Sequence, residues 1–553
     1  MSGIPETRKL WITPLSPVHM GTDEDYTPTS YVIDGNALYE FDQRALENLP
    51  PAERSQLNAI LNGKATPDML KQVQAFFHRN REWLIPAAAN VVKVSTEMAK
   101  LYEDRIGKAA NVESGGKQVL NALEIERAYY NPTDRWLMLP GSGLKGAMRT
   151  ALLDAVNQGQ RTERGERNRE LQQCLFHYTM RELHKDPMRL VHVGDCAWQG
   201  PEALNSAEVL FAVNRKKHPV TKNGKEVSSQ AEQRNLYQLL ECAAPFRFRA
   251  FRGVLNISAP GRVENEQGKL PELCFSFGEI ATACNRFYRP IFERETELLK
   301  KRGFLDTQWR KTVEALLNDN SICKRLENNE AFLLRVGRHS GAESVTLNGV
   351  RSIKIIMGKG QKPDWGKEAK TIWLATGDKA DKRYLKPFGW LLVEMTEPDQ
   401  TIPEWPEAEK LMEQYNDAMS QWLAEIRERQ STLAEKARIF RKEHAAREAA
   451  AIHEVEEKAH RKKAEEERLA QLSPFERELE KIITANRNNN PGAILFNQLM
   501  AGEWEDIGDQ RIVAEKIKSL WQEEGRWNPD FSGTNKQKVK QKQRCLKVLE
   551  YLE

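Results

Sequence analysis

The run Leu139-Pro140-Gly141-Ser142-Gly143-Leu144-Lys145-Gly146-Ala147-Met148-Arg149-Thr150 has a spacing that could do chemistry. Gly141 to Gly146 matches GxGxxG, the pattern of a turn that admits a pyrophosphate at a helix start. A dinucleotide site also needs a second strand and an acidic residue roughly 20 positions on. Here the helix runs instead into the charged stretch QGQRTERGERNRE, residues 158–170. A phosphate-binding P-loop fails as well, because Ala147 rather than a Lys-Ser or Lys-Thr pair follows Gly146. What survives is narrower. Glycines let a backbone approach a phosphate, helix-start amides offer donors to an anion, and Lys145 and Arg149 add cations one turn apart. An RNA backbone suits that arrangement. A tight strand-to-helix turn with ordinary surface cations suits it equally.

Other residue types invite weaker readings. A metal-free ribonuclease needs a positioned acid or base, often His, to activate a ribose hydroxyl. His19 and His339 are candidates; the plainer readings make His19 a packed strand-end residue and His339, close to Arg335 and Arg338, a phosphate contact. Asp23 and Asp25 lie in an acidic stretch expected to be a loop, which on the residues alone reads as a solvated turn. Phe246 to Gly253 interleaves aromatics with Arg247, Arg249 and Arg252. That pattern serves base stacking, or equally a half-buried strand with Phe inward and Arg outward. Near the end of the chain Lys536, Lys538, Lys540, Lys542, Arg544 and Lys547 spread around one helix, for loose RNA binding or for solubility. The seven Cys form no CxxC pair, and no His/Cys or carboxylate cluster points to a metal, so neither metal nor cofactor is expected.

The elements that must position these residues mix strands and helices without a regular strand–helix repeat, which reads as α+β. A strand is expected over Lys9 to Pro14, and a hairpin where Asp34-Gly35 joins Tyr31-Val32-Ile33 to Ala37-Leu38-Tyr39. Residues 43–102 read as a helical insertion. Strands follow near Leu123 to Tyr130 and Arg135 to Leu139, then a helix with Leu144, Met148, Ala151, Leu152 and Val156 on one face. The stretch 158–170 is expected to be mobile. Further strands are expected in LVHVGDCAW, FRFRAFRGVLNI and, between Phe332 and Met395, in LLRVG, RSIKIIMG, TIWLAT and PFGWLLVEM. From Glu404 to about Leu472 nearly every residue is a helix former. An apolar stripe of Leu411, Tyr415, Met419, Trp422 and Ile426 continues through Leu433 and Phe440, then thins into paired charges. Ser473-Pro474-Phe475-Glu476 carries a capping box with Pro at the first helical position, opening a small helical domain. The organisation expected is 1–400, then a charged helical segment 401–472, then a helical domain 473–553.

At 553 residues the chain is long enough for two or three domains and a substantial core. Lys and Arg number 83 against 79 acids, a net charge of +4 that neither requires nor excludes a nucleic-acid partner. The mean hydropathy of -0.65 points to a soluble protein. With no long apolar run and no apolar leader after Met1, a cytoplasmic location without a membrane partner is expected.

Three stretches together resemble the RAMP superfamily of CRISPR proteins. They are Leu15-Ser16-Pro17-Val18-His19-Met20-Gly21, the run Leu139 to Thr150, and Arg335-Val336-Gly337-Arg338-His339-Ser340-Gly341 followed by Pro387-Phe388-Gly389-Trp390. In this order, and with the hairpin at Tyr31 to Tyr39, they are similar to the guide-capping RAMP subunit of type III-A Csm effector complexes. The resemblance implies a ferredoxin-like, RRM-related core with helical insertions that binds guide RNA (crRNA) near its 3′ end. It implies a neighbouring backbone RAMP subunit and a small helical subunit as partners, and target RNA met through the complex. It further implies a non-catalytic role in antiviral defence that supports guide maturation, with a host nuclease recruited for 3′ trimming. A RAMP endoribonuclease that processes guide precursor or cuts target RNA is one alternative, with Asp23 or Asp25 matching by resemblance the loop Asp with which backbone relatives cut. A nucleotide-dependent oxidoreductase using the GxGxxG run is a remoter one. The RNA-binding set so implied is Gly141, Ser142, Gly143, Lys145, Gly146, Arg149, Arg335, Arg338, His339 and His19, with Arg351 and Lys354 at its margin; none is catalytic. The chain departs from the family in its long region after Pro403, about which the resemblance says nothing.

Overall fold

The computed structural model describes residues 6–64, 66–108, 111–112, 118–119, 123–160, 168–200, 207–258, 271–357 and 360–553. They form two compact units, Met1–Arg438 and Ile439–Glu553.

The first unit is α+β. One sheet runs in the order Ala331–Arg335, Trp390–Thr396, Glu6–Pro14, Phe251–Ile257, Cys196–Trp198 and Met138–Leu139, with Val191–Val193 also paired to Phe251–Ile257. Glu6–Pro14 is central and antiparallel to both neighbours, so Trp11 stands opposite Arg252 on one side and Glu394 on the other. Two helices pack together and against this sheet. Gly141–Asn157 buries Leu144, Met148, Ala151 and Leu152 at helical spacing, as expected, and ends where Gln158 turns left-handed at φ 49°. Phe277–Lys301 opens with a capping box between Ser276 and Glu279 and buries Ile280, Cys284, Phe287 and Ile291.

A second sheet runs Gly21–Tyr26, Ile125–Ala128, Tyr237–Ala243, Ala207–Lys216, Asn90–Val94, Ala37–Glu40 and Tyr31–Asp34, and Thr371–Thr376 also pairs with Ala207–Lys216. The Asp34-Gly35 hairpin forms in the expected register, with Ile33 opposite Leu38.

Several expectations change. The insertion 43–102 is not wholly helical, because Asn90–Val94 is a strand joining Ala37–Glu40 to Ala207–Lys216; its β-branched valines fit a pleated surface better than a helix. Gly21–Tyr26, expected as a loop, is a strand with an irregular register, and Asp23 sits at φ 62°. The strand expected from Arg135 shrinks to Met138–Leu139. In the stretch expected to be mobile, 161–167 lies outside the described residues, and Asn168–Leu175 is a helix. Phe246 to Ala250 is a bend rather than a strand: Phe246 and Arg249 have positive φ, and the strand starts only at Phe251.

The helix expected from Glu404 forms over Pro406–Gln471. Its buried residues are Ala408, Met412, Met419, Trp422, Ile426, Leu433 and Ala437, and none later. Trp422 donates to Asn36 Oδ1 at 3.0 Å, and Arg429 pairs with Asp34 at 2.7 Å, so the apolar half is fastened to the hairpin by polar contacts.

In the second unit the helices Pro474–Ala485, Pro491–Ala501, Ile507–Glu523 and Lys536–Leu549 enclose a core that includes Leu479, Leu495, Val513, Ile517, Trp521 and Val548. The capping box of Ser473 and Glu476 is formed. Among the described residues no helix is long and apolar enough to cross a membrane.

Candidate nucleic-acid interface

The three stretches that carry the resemblance are far apart in sequence and interlock in space. The amides of Leu15 and Ser16 both donate to the Trp390 carbonyl, at 2.9 and 3.3 Å, and the Trp390 amide donates to Ser16 Oγ at 2.9 Å. The Gly389 amide donates to the Pro17 carbonyl, and the Arg338 amide to the His19 carbonyl, each at 2.9 Å. Met20 sits between the other two stretches. Cβ atoms added at Gly143 and Gly337 would fall 2.2 Å from Met20 Cε and 3.2 Å from Met20 Cγ respectively. At Gly337, φ is 78° and the His19 carbonyl oxygen lies 2.2 Å from where a Cβ would be, so only glycine fits.

The glycine-rich run is not a loop. The helix starts at Gly141 itself, with Pro140 as a cap that offers no side-chain bond. The Gly141 amide donates to Asp195 Oδ1 at 2.7 Å, so a carboxylate already occupies the first helix-start donor. A Cβ on Gly141 would stand 2.2 Å from the Val193 carbonyl oxygen. Gly141 is therefore required by packing against backbone, whereas at Gly143 only the flexible end of Met20 would have to move aside. Gly146 faces open space, with Ser142 exposed one turn before it. Lys145, between them, is half-buried; burial holds its pKa below the usual lysine value, Asp186 opposes that shift, and Arg149 adds to it. His192 is exposed on the adjacent strand, and its pKa is lowered first by burial and then by Lys145. Neither Asp195 nor His192 was expected at this surface; both lie in the run LVHVGDCAW, which reads only as a strand.

Arg149 points elsewhere. Its guanidinium pairs with both Asp186 oxygens, at 3.0 and 2.8 Å, donates to Gln172 and Tyr178, and lies over the Phe176 ring. Arg335 is fully interior. It pairs with Glu295 at 2.6 Å, donates to the Phe388 carbonyl at 3.0 Å and lies over the Trp390 ring at 4.9 Å, which leaves it no face for a phosphate. Of the signature cations only Arg338 reaches solvent, its side chain 45% exposed and paired with Glu126 at 2.9 Å.

Neither His stands ready for proton transfer to an outside group. His19 is 1% exposed, and its Nδ1 donates to the Glu241 carbonyl at 2.6 Å; burial, the largest cause, lowers its pKa. His339 stacks on Trp373 at 4.8 Å and bonds the Gln238 side chain through Nε2 at 2.7 Å. Burial, then Arg338 and His19, push its pKa down to about 4, so it is uncharged at neutral pH and attracts no phosphate by charge. Behind them the fully buried Glu241 accepts from Tyr26 Oη and the Ala128 amide, both at 2.9 Å, and burial pushes its pKa up to about 7.

The remaining candidates divide the same way. Arg247 is buried, and Arg249 is held by Glu394 at 2.8 and 2.7 Å and by the Pro403 carbonyl, so the outward arginines expected of a strand point inward. Arg252 alone faces out, over the Trp11 ring at 4.2 Å. Arg351 binds its own loop at Thr346 and Glu343, whereas Lys354 is exposed. Among the described residues no group of three His, Cys, Asp or Glu stands close enough to hold a metal. The surface that results is a helix start with Ser142, Lys145 and Gly146, joined through Met20 to Gly337 and Arg338. It offers a hydroxyl and two cations, Lys145 and the surface-paired Arg338, to an anionic ligand, while the amides of Gly141, Gly143 and Leu144 are taken by Asp195 and the Pro140 carbonyl.

No family model matches the sequence, and no curated protein matches it. Among solved structures, the chain is similar to one in the cryo-EM structure of a Csm-crRNA-target RNA ternary complex of a type III-A CRISPR-Cas system. The identity is 16% and the TM-score 0.37, over 71% of this chain and 100% of that one. It is also similar to the crystal structure of T.onnurineus Csm5, with 17% identity and a TM-score of 0.38, over 69% of this chain and 99% of that one.

Proposed function

We propose that the chain is an RNA-binding subunit of a type III-A CRISPR effector complex and holds the guide RNA near its 3′ end. The observation that carries this reading is the meeting of three distant stretches around Met20, with Ser142, Lys145, Gly146 and Arg338 at the adjoining surface. Glycines forced by close packing, beside a helix start and two solvent-reaching cations, suit a phosphodiester backbone better than a small enclosed ligand. A ferredoxin-like core is part of the proposal. It is supported by the order Trp390–Thr396, Glu6–Pro14, Phe251–Ile257, Cys196–Trp198, with one helix following the first strand in the chain and another following the third. In this reading a backbone RAMP subunit and a small helical subunit are the neighbours, target RNA is met through the complex, and the subunit guides 3′ trimming by a host nuclease without cutting RNA itself.

Two measurements test it. Purification from the native host should recover repeat-derived guides of defined length together with other RAMP subunits. Replacing Lys145 and Arg338 together with Ala should weaken RNA binding about tenfold and lower the slope of log affinity against log salt by about 1.4, the share of two single-strand phosphate contacts. Unchanged affinity and slope in the double variant would remove the proposed surface.

A further inference from the structure

An open cleft of about 500 Å³, lined by none of the residues of the stretches that carry the resemblance, lies at the end of helix Phe277–Lys301. Helix Thr307–Leu317 and the loop leading into Lys386–Pro387 also line it. Its walls include Lys300, Arg310, Lys311, Arg383 and Tyr384, above the buried Leu305.

The cations here are of two kinds. Arg310 is held by Glu314 at 2.6 Å, and Lys386, just outside, by Asp306 at 2.9 Å. Lys300, Lys311 and Arg383 are exposed, and none of them forms an ion pair among the described residues. Lys300 has a local explanation, since a cation in the last turn of a helix complements its dipole. Lys311, inside its helix, and Arg383, on a loop, have none.

Tyr384 adds an independent observation. Its backbone is left-handed at φ 61°, a conformation that L-residues other than Asn and Asp rarely adopt, yet the residue is 65% exposed and recovers little by burial. The neighbouring backbone locks it there. The Leu385 amide donates to the Phe304 carbonyl at 2.9 Å, and the Leu385 carbonyl accepts from the Asp306 amide at 3.0 Å. A strained, pinned residue thus presents an aromatic face to solvent beside three exposed cations that form no ion pair among the described residues. Aromatic rings stack on any base, and cations flanking them bind the phosphates on either side.

We propose that this cleft binds a segment of single-stranded RNA, with a base stacked on Tyr384 and phosphates held by Lys300, Lys311 and Arg383. The assignment rests on RNA being the ligand of this chain and adds a second contact, one that no sequence motif marks.

The test uses the full chain and a short fluorescent single-stranded RNA, titrated over a series of potassium chloride concentrations. Changing Lys300, Lys311 and Arg383 together to Ala should weaken binding at least about tenfold and lower the salt slope by about 2, the share of three phosphates. Tyr384→Ala should weaken binding about tenfold, and Tyr384→Phe, which keeps the ring, should bind like the parent. A 4-thiouridine-substituted RNA should cross-link to the peptide bearing Tyr384. If the parent binds RNA while the triple variant and Tyr384→Ala match it in affinity and slope, the cleft is not an RNA site and the surface at Lys145 stands. If the parent binds no RNA at all, both assignments fall. A Tyr384→Phe protein as weak as Tyr384→Ala would overturn stacking.

Discussion

The junction around Met20 and the cleft beside Tyr384 use their charges in opposite ways. At the junction Arg335 is sealed against Glu295 and Trp390, Glu241 lies fully buried, and Arg149 is taken up by Asp186. In the cleft Lys300, Lys311 and Arg383 stand in solvent and form no ion pair among the described residues. A cation in a motif therefore reports where the motif packs as often as what it binds. A cation left unpaired, or paired only at the surface as Arg338 is with Glu126, is the one available to a ligand. Desolvating an ion is expensive enough that a buried arginine needs polar partners, a carboxylate for Arg335 and Arg249 and a backbone carbonyl for Arg247, whereas an exposed lysine costs little to leave free.

The largest test of that contrast is Arg335→Ala, which strands the Glu295 carboxylate in the core. We expect a loss of about 3–5 kcal/mol in denaturant unfolding, while Lys311→Ala stays within about 0.5 kcal/mol of the parent. Comparable stabilities for the two variants would erase the distinction between the regions.

Next in size is the pH response of Glu241. Its pKa is raised by burial from 4.5 to about 7, so the folded chain holds this proton more tightly than the unfolded one. The resulting stabilisation is complete below pH 4.5 and is lost as pH rises through 7. It amounts to about 3 kcal/mol, and Glu241→Gln should remove that slope. His339 works the other way, since its lowered pKa makes stability fall as pH drops from 6.5 towards 4. The readout is therefore the difference between the unfolding curves of parent and variant. Parallel curves from pH 4.5 to 8 would contradict a buried, proton-holding Glu241.

The smallest effect sharpens the contrast within one helix. Gly146 has open space around it, so Gly146→Ala should stabilise the helix by up to about 1 kcal/mol. Gly141→Ala, facing the Val193 carbonyl, should destabilise. Thermal unfolding of both proteins checks the signs. Matching signs would mean that packing does not distinguish the two glycines.

The local features were legible in the chain. The Ser473–Glu476 box, the Asp34-Gly35 hairpin and the apolar stripe from Met419 to Leu433 each depend on residues a few positions apart, whose geometry hardly varies with context. The strand Asn90–Val94 inside an expected helical stretch was missed because its pairing partners, near Leu38 and Glu208, lie outside any local window. For the candidate site, the sequence marked the three stretches but not which of their cations reach solvent.

Sequence by itself thus determined the Ser473 capping box, the Asp34-Gly35 hairpin and the mixed α+β class. Tertiary structure alone decided that the three stretches meet at Met20, that Arg335 and Arg249 turn inward, and that Tyr384 faces a cleft with Lys300 and Lys311. The reason is the reach of the partners. Arg335 finds Glu295 at a separation of 40 residues and Arg249 finds Glu394 at 145. Charge neutralisation at such distances follows from chain topology, which local spacing does not encode.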